Sequence, residues 1–220
     1  MGTQRAFFNQ LHQRTSRDYL QRMLDDKAHC MRVAKEYGHE YWDGDRRYGY
    51  GGYVYDGRWK MVAEQLIHAY GLDNNSSILD VGCGKAFLLY ELHALLPGAR
   101  ISGFDCSGYA IGHAKEEIRP QLFLHRAEES YPFEDNCFDL ALSLTTLHNL
   151  PLPQLVAALR QMERVARDKY LVVESYRNDA ELFNLQCWAL TCESFLNPEE
   201  WCWIFKQAGY TGDYEFIYFE

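Results

Sequence analysis

The chain lacks any long apolar run. No stretch of its 220 residues approaches the roughly 20 consecutive apolar residues of a membrane-spanning helix. Met1 to Arg14 is polar and lacks the apolar core of a secretion signal. Paired cysteine motifs are missing too: the seven cysteines, Cys30, Cys83, Cys106, Cys137, Cys187, Cys192 and Cys202, form no C-x-x-C. An odd, scattered set without a secretion signal reads as reduced thiols, so a cytoplasmic protein without a structural metal is expected. Positive charge is in deficit, with 22 Lys and Arg against 31 Asp and Glu and a net charge of −9. That argues against sequence-independent nucleic-acid binding, which rests on basic surface. There is no repeat and no low-complexity linker. Hydrophobic residues at 47% and charged residues at 24% exclude disorder and a coiled coil.

Two textures divide what is present. Residues 16–37 read as a helix, with Ser16 placed to cap it and Gly38 beyond its end. Tyr41, Trp42, Tyr48, Tyr50, Tyr53, Tyr55 and Trp59 then lie among Gly44, Gly49, Gly51 and Gly52. That is too much glycine for a regular element and too many aromatics for an idle linker. A second helix is expected over 57–70, ending at Gly71.

From residue 77 short apolar strands alternate with amphipathic helices. Strands are expected at Ile78–Val81, Ile101–Phe104, Leu122–Leu124, Phe138–Leu144, Tyr170–Val173 and Tyr214–Phe219. Leu88, Leu92 and Leu95 recur at helical spacing, as do Leu152, Leu155, Val156, Leu159, Met162 and Val165. A helix is expected near 108–118. Asn197-Pro198-Glu199-Glu200 is a helix start and Gly209 a helix end; residues 183–196 read equally as extended or helical. Buried strands alternating with helices imply a doubly wound α/β domain with a mostly parallel sheet. The expected division is a helical N-terminal extension with a Tyr/Gly-rich lid over 1–59 and the α/β domain over 60–220.

The segment Ile78-Leu79-Asp80-Val81-Gly82-Cys83-Gly84-Lys85-Ala86 runs a strand into a G-x-G turn and then a helix. Gly82 and Gly84 let a ligand lie against the backbone, and the amides opening the helix can receive an anion. Asp105 ends the second strand, where a carboxylate can accept both hydroxyls of a ribose. A dinucleotide site wants glycine where this chain has Phe87. That residue and Asp80 count against a nicotinamide-dependent oxidoreductase. S-adenosylmethionine carries no phosphate. It offers a ribose for Asp105, an amino group for Asp80 and a carboxylate for the backbone near Gly84.

At these residues the chain resembles the class I S-adenosylmethionine-dependent methyltransferases, over about 60–220. ILDVGCGKA at 78–86, ISGFD at 101–105 and AEESYPFEDNCFDLALSLTTLHNL at 127–150 carry the resemblance. The segments at 40–59 and 199–220 more loosely resemble a bacterial subgroup of small-molecule methyltransferases. The resemblance implies that Asp80, Gly82 and Gly84 surround the methionine part, with Cys83 beside the cofactor, and that Asp105 holds the ribose. It places Cys106, Ala127 and Glu128 at the adenine, with Leu144 and Thr145 flanking the methionine. Three features depart from the family. Ala86 replaces a frequent glycine and demands an ordinary backbone. Arg126 replaces a frequent acid, shifting the adenine contact to the backbone or Glu128. The closing antiparallel hairpin lacks a strand, which residues 183–192 are placed to supply.

Methyl transfer is an in-line displacement in which the enzyme aligns acceptor and methyl. An oxygen acceptor also needs a base. His148, after the fourth strand, is the first candidate and Glu174, ending the fifth, the second. Their plain alternatives are a loop histidine and a surface or helix-capping carboxylate. Tyr48, Tyr50 and Tyr53, with Arg58, form a candidate substrate lid. The alternatives are a packed extension, and an arginine paired with Asp43, Asp45 or Asp56. The expected partner is a small polar metabolite or sugar-type acceptor, methylated on oxygen or nitrogen, rather than nucleic acid or membrane. A non-catalytic S-adenosylmethionine-binding protein is the other reading.

Overall fold

The computed structural model describes residues 2–12, 17–51 and 53–220. Its centre is a sheet of six strands: β1 (Ser77–Val81), β2 (Arg100–Asp105), β3 (Leu122–Leu124), β4 (Phe138–Leu144), β5 (Ala166–Glu174) and β6 (Asp213–Ile217). The spatial order is β3-β2-β1-β4-β5-β6 and every neighbouring pair is parallel. This corrects the expectation of an antiparallel strand near the end: β6 pairs in parallel with β5, Tyr170 opposite Asp213. Residues 183–192 add no strand, because they run from a helix into irregular chain.

Ten helices accompany the sheet among the described residues: α1 (Asn9–His12), α2 (Tyr19–Leu24), α3 (Lys27–Ala34), α4 (His39–Trp42), α5 (Lys60–Tyr70), α6 (Phe87–Leu95), α7 (Gly108–Gly112), α8 (Leu152–Val165), α9 (Asp179–Trp188) and α10 (Pro198–Ala208). Successive strand residues point to opposite faces and are buried on both. Ile78, Leu140, Leu142 and Val172 pack with Val62, Leu66, Leu89 and Leu92 from α5 and α6. Leu79, Ala141, Leu171 and Val173 pack with Leu155, Leu159, Met162, Trp201 and Phe205 from α8 and α10. No described helix is long and apolar enough to cross a membrane.

The expected helix over 16–37 is two helices. Asp26, with φ +38°, breaks it between α2 and α3. Asp18 caps α2 by accepting from the Gln21 amide at 3.0 Å; Ser16 lies outside the described residues. The expected 108–118 helix stops at Gly112, where the His113 amide turns back onto carbonyls of the last turn. The Asn197 capping box and left-handed Gly209 bound α10, and left-handed Gly71 ends α5.

The N-terminal residues join the outer edge of β6. The Arg5 amide donates to Tyr214 O at 2.8 Å, and the Tyr214 amide to Thr3 O at 3.2 Å. Buried Glu215 accepts the amides of Phe7 and Asn9, each at 2.6 Å, that of Phe8 at 3.1 Å, and the Tyr170 hydroxyl at 2.5 Å. One carboxylate thereby satisfies amides opening α1 and covers a sheet edge.

Candidate active site

Strand ends β1, β2, β4 and β5 converge with the N-terminal helices on a cavity of about 580 Å³, a size typical of small-molecule sites. Its wall includes Asp80, Gly82, Cys83, Gly84, Asp105, Cys106, Ala127, Glu128, Leu144 and Thr145, together with His148, Glu174, Tyr50, Tyr53 and Arg58. The ten positions assigned to the cofactor and both candidate bases therefore face one space. Tyr48 is not in that wall; its hydroxyl lies 3.4 Å from His29 Nε2.

The glycine turn is held from both sides. Gly82 and Gly84 have φ of +77° and +55°, which glycine adopts without strain. A Cβ on Gly82 would strike the Thr146 side chain, and one on Gly84 would lie 2.7 Å from Trp42 Cη2. Thr146 Oγ1 donates to Gly82 O at 3.1 Å. Trp42 Nε1 donates to Ser107 Oγ at 2.9 Å and to Tyr37 O at 3.0 Å, seating its ring on the turn. Ala86 is also left-handed, with φ +56°. This overturns the expectation of an ordinary backbone there: as the residue entering α6 it keeps the turn's geometry despite its Cβ, a conformation costing on the order of 1 kcal/mol.

Asp105 is built into the turn. Its Oδ2 accepts the Gly84 amide and its Oδ1 the Ser107 amide, both at 2.8 Å. Cys106 adds side-chain and backbone hydrogen bonds to the same carboxyl. Burial raises the Asp105 carboxyl against the pull of those amides. Burial and the charge of Asp105 also push Asp80 up to about 7. Two crowded carboxyls facing a cavity are the surroundings an ammonium or sulfonium cation would relieve. An adenosyl sulfonium with a ribose fits this end. Around the positions assigned to the adenine, Glu128 Oε1 accepts from Arg126 Nε at 2.7 Å, while Tyr131 donates to Ala127 O at 3.0 Å.

The other end holds the candidate bases. The Glu174 amide donates to His148 Nδ1 at 3.3 Å, which leaves the imidazole proton on Nε2. That nitrogen lies 3.4 Å from Glu174 Oε2. Burial pushes His148 down to about 3 and Glu174 up to about 8, against the charges of Arg17 and Lys27. The neutral imidazole has its lone pair engaged, and Glu174 Oε2 beside it is buried with no hydrogen-bond partner among the described residues. The carboxyl is the group placed to exchange a proton near neutral pH.

Tyr50 is pinned rather than loose: its hydroxyl accepts the Leu190 amide at 2.7 Å and lies 3.1 Å from Thr191 Oγ1. Tyr53 donates to Tyr41 at 2.9 Å. Arg58 is paired with Asp56 at 2.5 Å. The sequence reading missed Trp42 on Gly84, the contribution of Phe8, Leu11, His12 and Arg17 to the wall, and that of Trp188 and Thr191. These depend on long-range packing for which no local pattern exists. Buried Lys85, next to Gly84, ties the extension to the turn through Asp43 at 2.5 Å and Tyr53 O at 3.1 Å.

Comparison with known proteins agrees with this architecture. Residues 72–211 match the family model described as a methyltransferase domain. Trans-aconitate 2-methyltransferase of Escherichia coli is 31% identical over 102 residues, covering 44% of this chain and 40% of that protein. The mitochondrial arginine-hydroxylase NDUFAF5 of Mus musculus is 29% identical over 109 residues, 50% of this chain and 31% of that protein. The chain thus spans about a third of the length of that relative. Among solved structures, YcgJ of Bacillus subtilis superposes with TM-score 0.54 at 18% identity, over 66% of each chain. Geranyl diphosphate C-methyltransferase of Streptomyces coelicolor, solved with S-adenosyl-L-homocysteine, superposes with TM-score 0.55 at 12% identity, over 66% of this chain and 58% of that one. The family match over most of the α/β domain, on a parallel sheet ending in this glycine turn, means that the chain belongs to the class I S-adenosylmethionine-dependent methyltransferases.

Proposed function

We propose that the chain transfers the methyl group of S-adenosylmethionine to an oxygen or nitrogen of a small polar acceptor. The observation that carries this reading is the continuity of one cavity from Asp80, Gly84 and Asp105 to His148 and Glu174. When bound, the donor supplies a methyl on a sulfonium centre, which departs as a neutral thioether. Asp105 holds the ribose hydroxyls and Asp80 the amino group. Leu144 and Thr145 flank the methionine chain, with Cys106, Ala127 and Glu128 around the adenine. Thr145, with φ +54°, turns the chain as it leaves β4 and aims this rim at the cavity. Trp42 and the tyrosines above it keep water out, which strengthens electrostatic contacts inside.

At the acceptor end, Glu174 takes the proton that the acceptor oxygen or nitrogen loses as its bond to carbon forms. His148 lies beside that carboxyl, its Nε2 3.4 Å from Oε2. Because Glu174 sits at about 8, its ionised fraction grows through the neutral range, which suits a base acting there.

The test is release of S-adenosylhomocysteine on incubation with S-adenosylmethionine and a library of small hydroxy and amino compounds. Turnover that Glu174→Gln lowers about a hundredfold or more, with unchanged S-adenosylhomocysteine affinity, supports the reading. Cofactor binding without turnover across the library would favour the non-catalytic alternative.

A further inference from the structure

The acceptor end holds a buried carboxyl oxygen that meets no donor. Glu174 ends β5 in the cavity wall and is 7% exposed. Its Oε2 has no hydrogen-bond partner among the described residues, a costly state for a buried carboxyl until a donor arrives. The backbone of the residue is committed: its amide donates to His148 Nδ1 at 3.3 Å and its carbonyl accepts Trp201 Nε1 at 3.1 Å.

Two phenols feel the Glu174 charge without donating to Oε2. Burial, and then that charge, raise Tyr50; burial raises Tyr53, with Glu174 adding to it. The Tyr50 hydroxyl accepts the Leu190 and Thr191 amides at 2.7 and 3.2 Å and lies 3.1 Å from Thr191 Oγ1. The Tyr53 hydroxyl donates to Tyr41 at 2.9 Å. With these polar tips engaged, what remains is ring surface. The Tyr41 ring centre lies 5.4 Å from that of Tyr53 and 5.9 Å from that of Tyr50, the latter pair at 88°, and Tyr50 lies 6.1 Å from Trp188. All four rings line the cavity. Electron-rich rings beside a carboxyl are the setting an ammonium prefers.

Charge in the wall points the same way. Lys35, Arg58, Lys85 and Arg126 each meet a carboxylate. Asp80, Asp105 and Glu174 are three further carboxyls, all buried there. The donor takes Asp80 and Asp105 in the reading above, which leaves Glu174 for the acceptor. Arg17 in the wall and Lys27 outside it pull Glu174 down against the rise that burial imposes. On a bound ammonium the same charges favour its neutral, nucleophilic form.

We infer that Glu174 Oε2 and the rings of Tyr41, Tyr50, Tyr53 and Trp188 form an amine-binding subsite, so that the methyl acceptor is a small primary or secondary amine. The inference rests on the methyltransferase reading and names the acceptor class of the same cavity. The amine enters as an ammonium whose N–H meets Oε2. Its proton passes to the Glu174 carboxylate. The freed lone pair forms the C–N bond as the C–S bond breaks, and the electron pair of the broken bond stays on sulfur. The products are a methylated ammonium and a neutral thioether.

The experiment is calorimetric titration of the full chain, saturated with S-adenosylhomocysteine. The titrants are small primary amines with alkyl, aryl and polyhydroxylated bodies, each matched by its alcohol, its carboxylic acid and its trimethylammonium analogue. At least one amine binds, and its alcohol and acid bind at least about tenfold more weakly. The trimethylammonium analogue, with no N–H for Oε2, is also weaker than the amine. Glu174→Gln abolishes the preference for amine over alcohol and leaves S-adenosylhomocysteine affinity unchanged. Tyr50→Leu weakens the amine more than the alcohol, whereas Tyr50→Phe, which keeps the ring, retains the preference. The inference is overturned if no amine binds, if the alcohol, acid or trimethylammonium analogue binds as tightly, if Glu174→Gln keeps the preference, or if Tyr50→Leu weakens amine and alcohol alike. The wild-type and Glu174→Gln arms decide alone where Tyr50→Leu fails to fold. Failure of the wild-type chain to bind S-adenosylhomocysteine would overturn the methyltransferase reading itself, a distinct outcome.

Discussion

Protonation of Asp80 should couple cofactor binding to pH near neutrality. The carboxyl lies fully inside the protein, and burial and its neighbour Asp105 lift it from 3.8 to about 7. An amino group docking on Asp80 requires the ionised form, so the proton must leave before or during binding. At pH 8 the carboxyl is mostly ionised. At pH 6 only about a tenth of molecules have it ionised, which weakens S-adenosylhomocysteine binding about tenfold, or roughly 1.4 kcal/mol. Folding carries the same signature. Between pH 4 and 7 the folded chain keeps a proton that the unfolded chain has released, so stability falls as pH rises through that window. The ionised form then costs up to roughly 4 kcal/mol above pH 7. Asp80→Asn removes that cost while keeping the shape. The assay pairs calorimetric titration with S-adenosylhomocysteine at pH 6, 7 and 8 with urea denaturation of the unliganded protein at pH 8. The account expects wild-type affinity to climb with pH, and the variant to bind weakly and without pH dependence yet unfold at higher urea. Equal affinity at pH 6 and 8 for the wild type, or a less stable Asp80→Asn, would refute the reasoning.

Other outcomes follow from the same geometry. With a productive acceptor, turnover should rise with pH and level off above about 8 as Glu174 ionises; a plateau already reached at pH 6 would remove Glu174 as the base. Gly84→Ala places a Cβ 2.7 Å from Trp42 at φ +55° and should cost roughly 1–3 kcal/mol. In denaturation curves, Trp42→Ala in the same chain should relieve part of that cost, and simple additivity would show that the two do not press on each other. Glu215→Ala leaves buried amides of the N-terminal arm and the Tyr170 hydroxyl without their acceptor, and should destabilise by roughly 3 kcal/mol or more. Limited proteolysis should then cut first within residues 3–12; an unchanged cleavage pattern would contradict that anchoring.

The sheet and the glycine turn were legible because their signals are local. Ile78–Val81 is buried on both faces and feeds directly into Gly82 and Gly84, so a run of apolar residues and two glycines carry both strand and turn. Asp105 was legible for the same reason, as the acid at the next strand's end. Ala86 was misread because residue identity usually predicts backbone conformation. Here the packed turn holds a left-handed alanine in place of glycine. The missing hairpin strand looked for at 183–192 does not form, and the direction of β6 was not legible because strand pairing depends on partners distant in sequence, and Tyr170 opposite Asp213 leaves no trace in either segment. Helix α9 escaped because its apolar residues fall on no single face. At the site, His148 and Glu174 could be picked out by position, but their order of merit could not. Only the amide of Glu174 at His148 Nδ1 shows which partner is left to accept a proton. Tyr50 and Tyr53 drew attention by composition, yet composition could not separate them from Tyr48, which turns to His29 instead.

The central claim, that an adenosyl sulfonium donor lies along the turn leaving β1, is tested most directly by a crystal structure grown with S-adenosylhomocysteine. The account predicts the ribose hydroxyls on Asp105, the amino group on Asp80, and the adenine beside Cys106 and Ala127 beneath the Trp42 segment. Ligand density anywhere else, or none at saturating concentration, would contradict it.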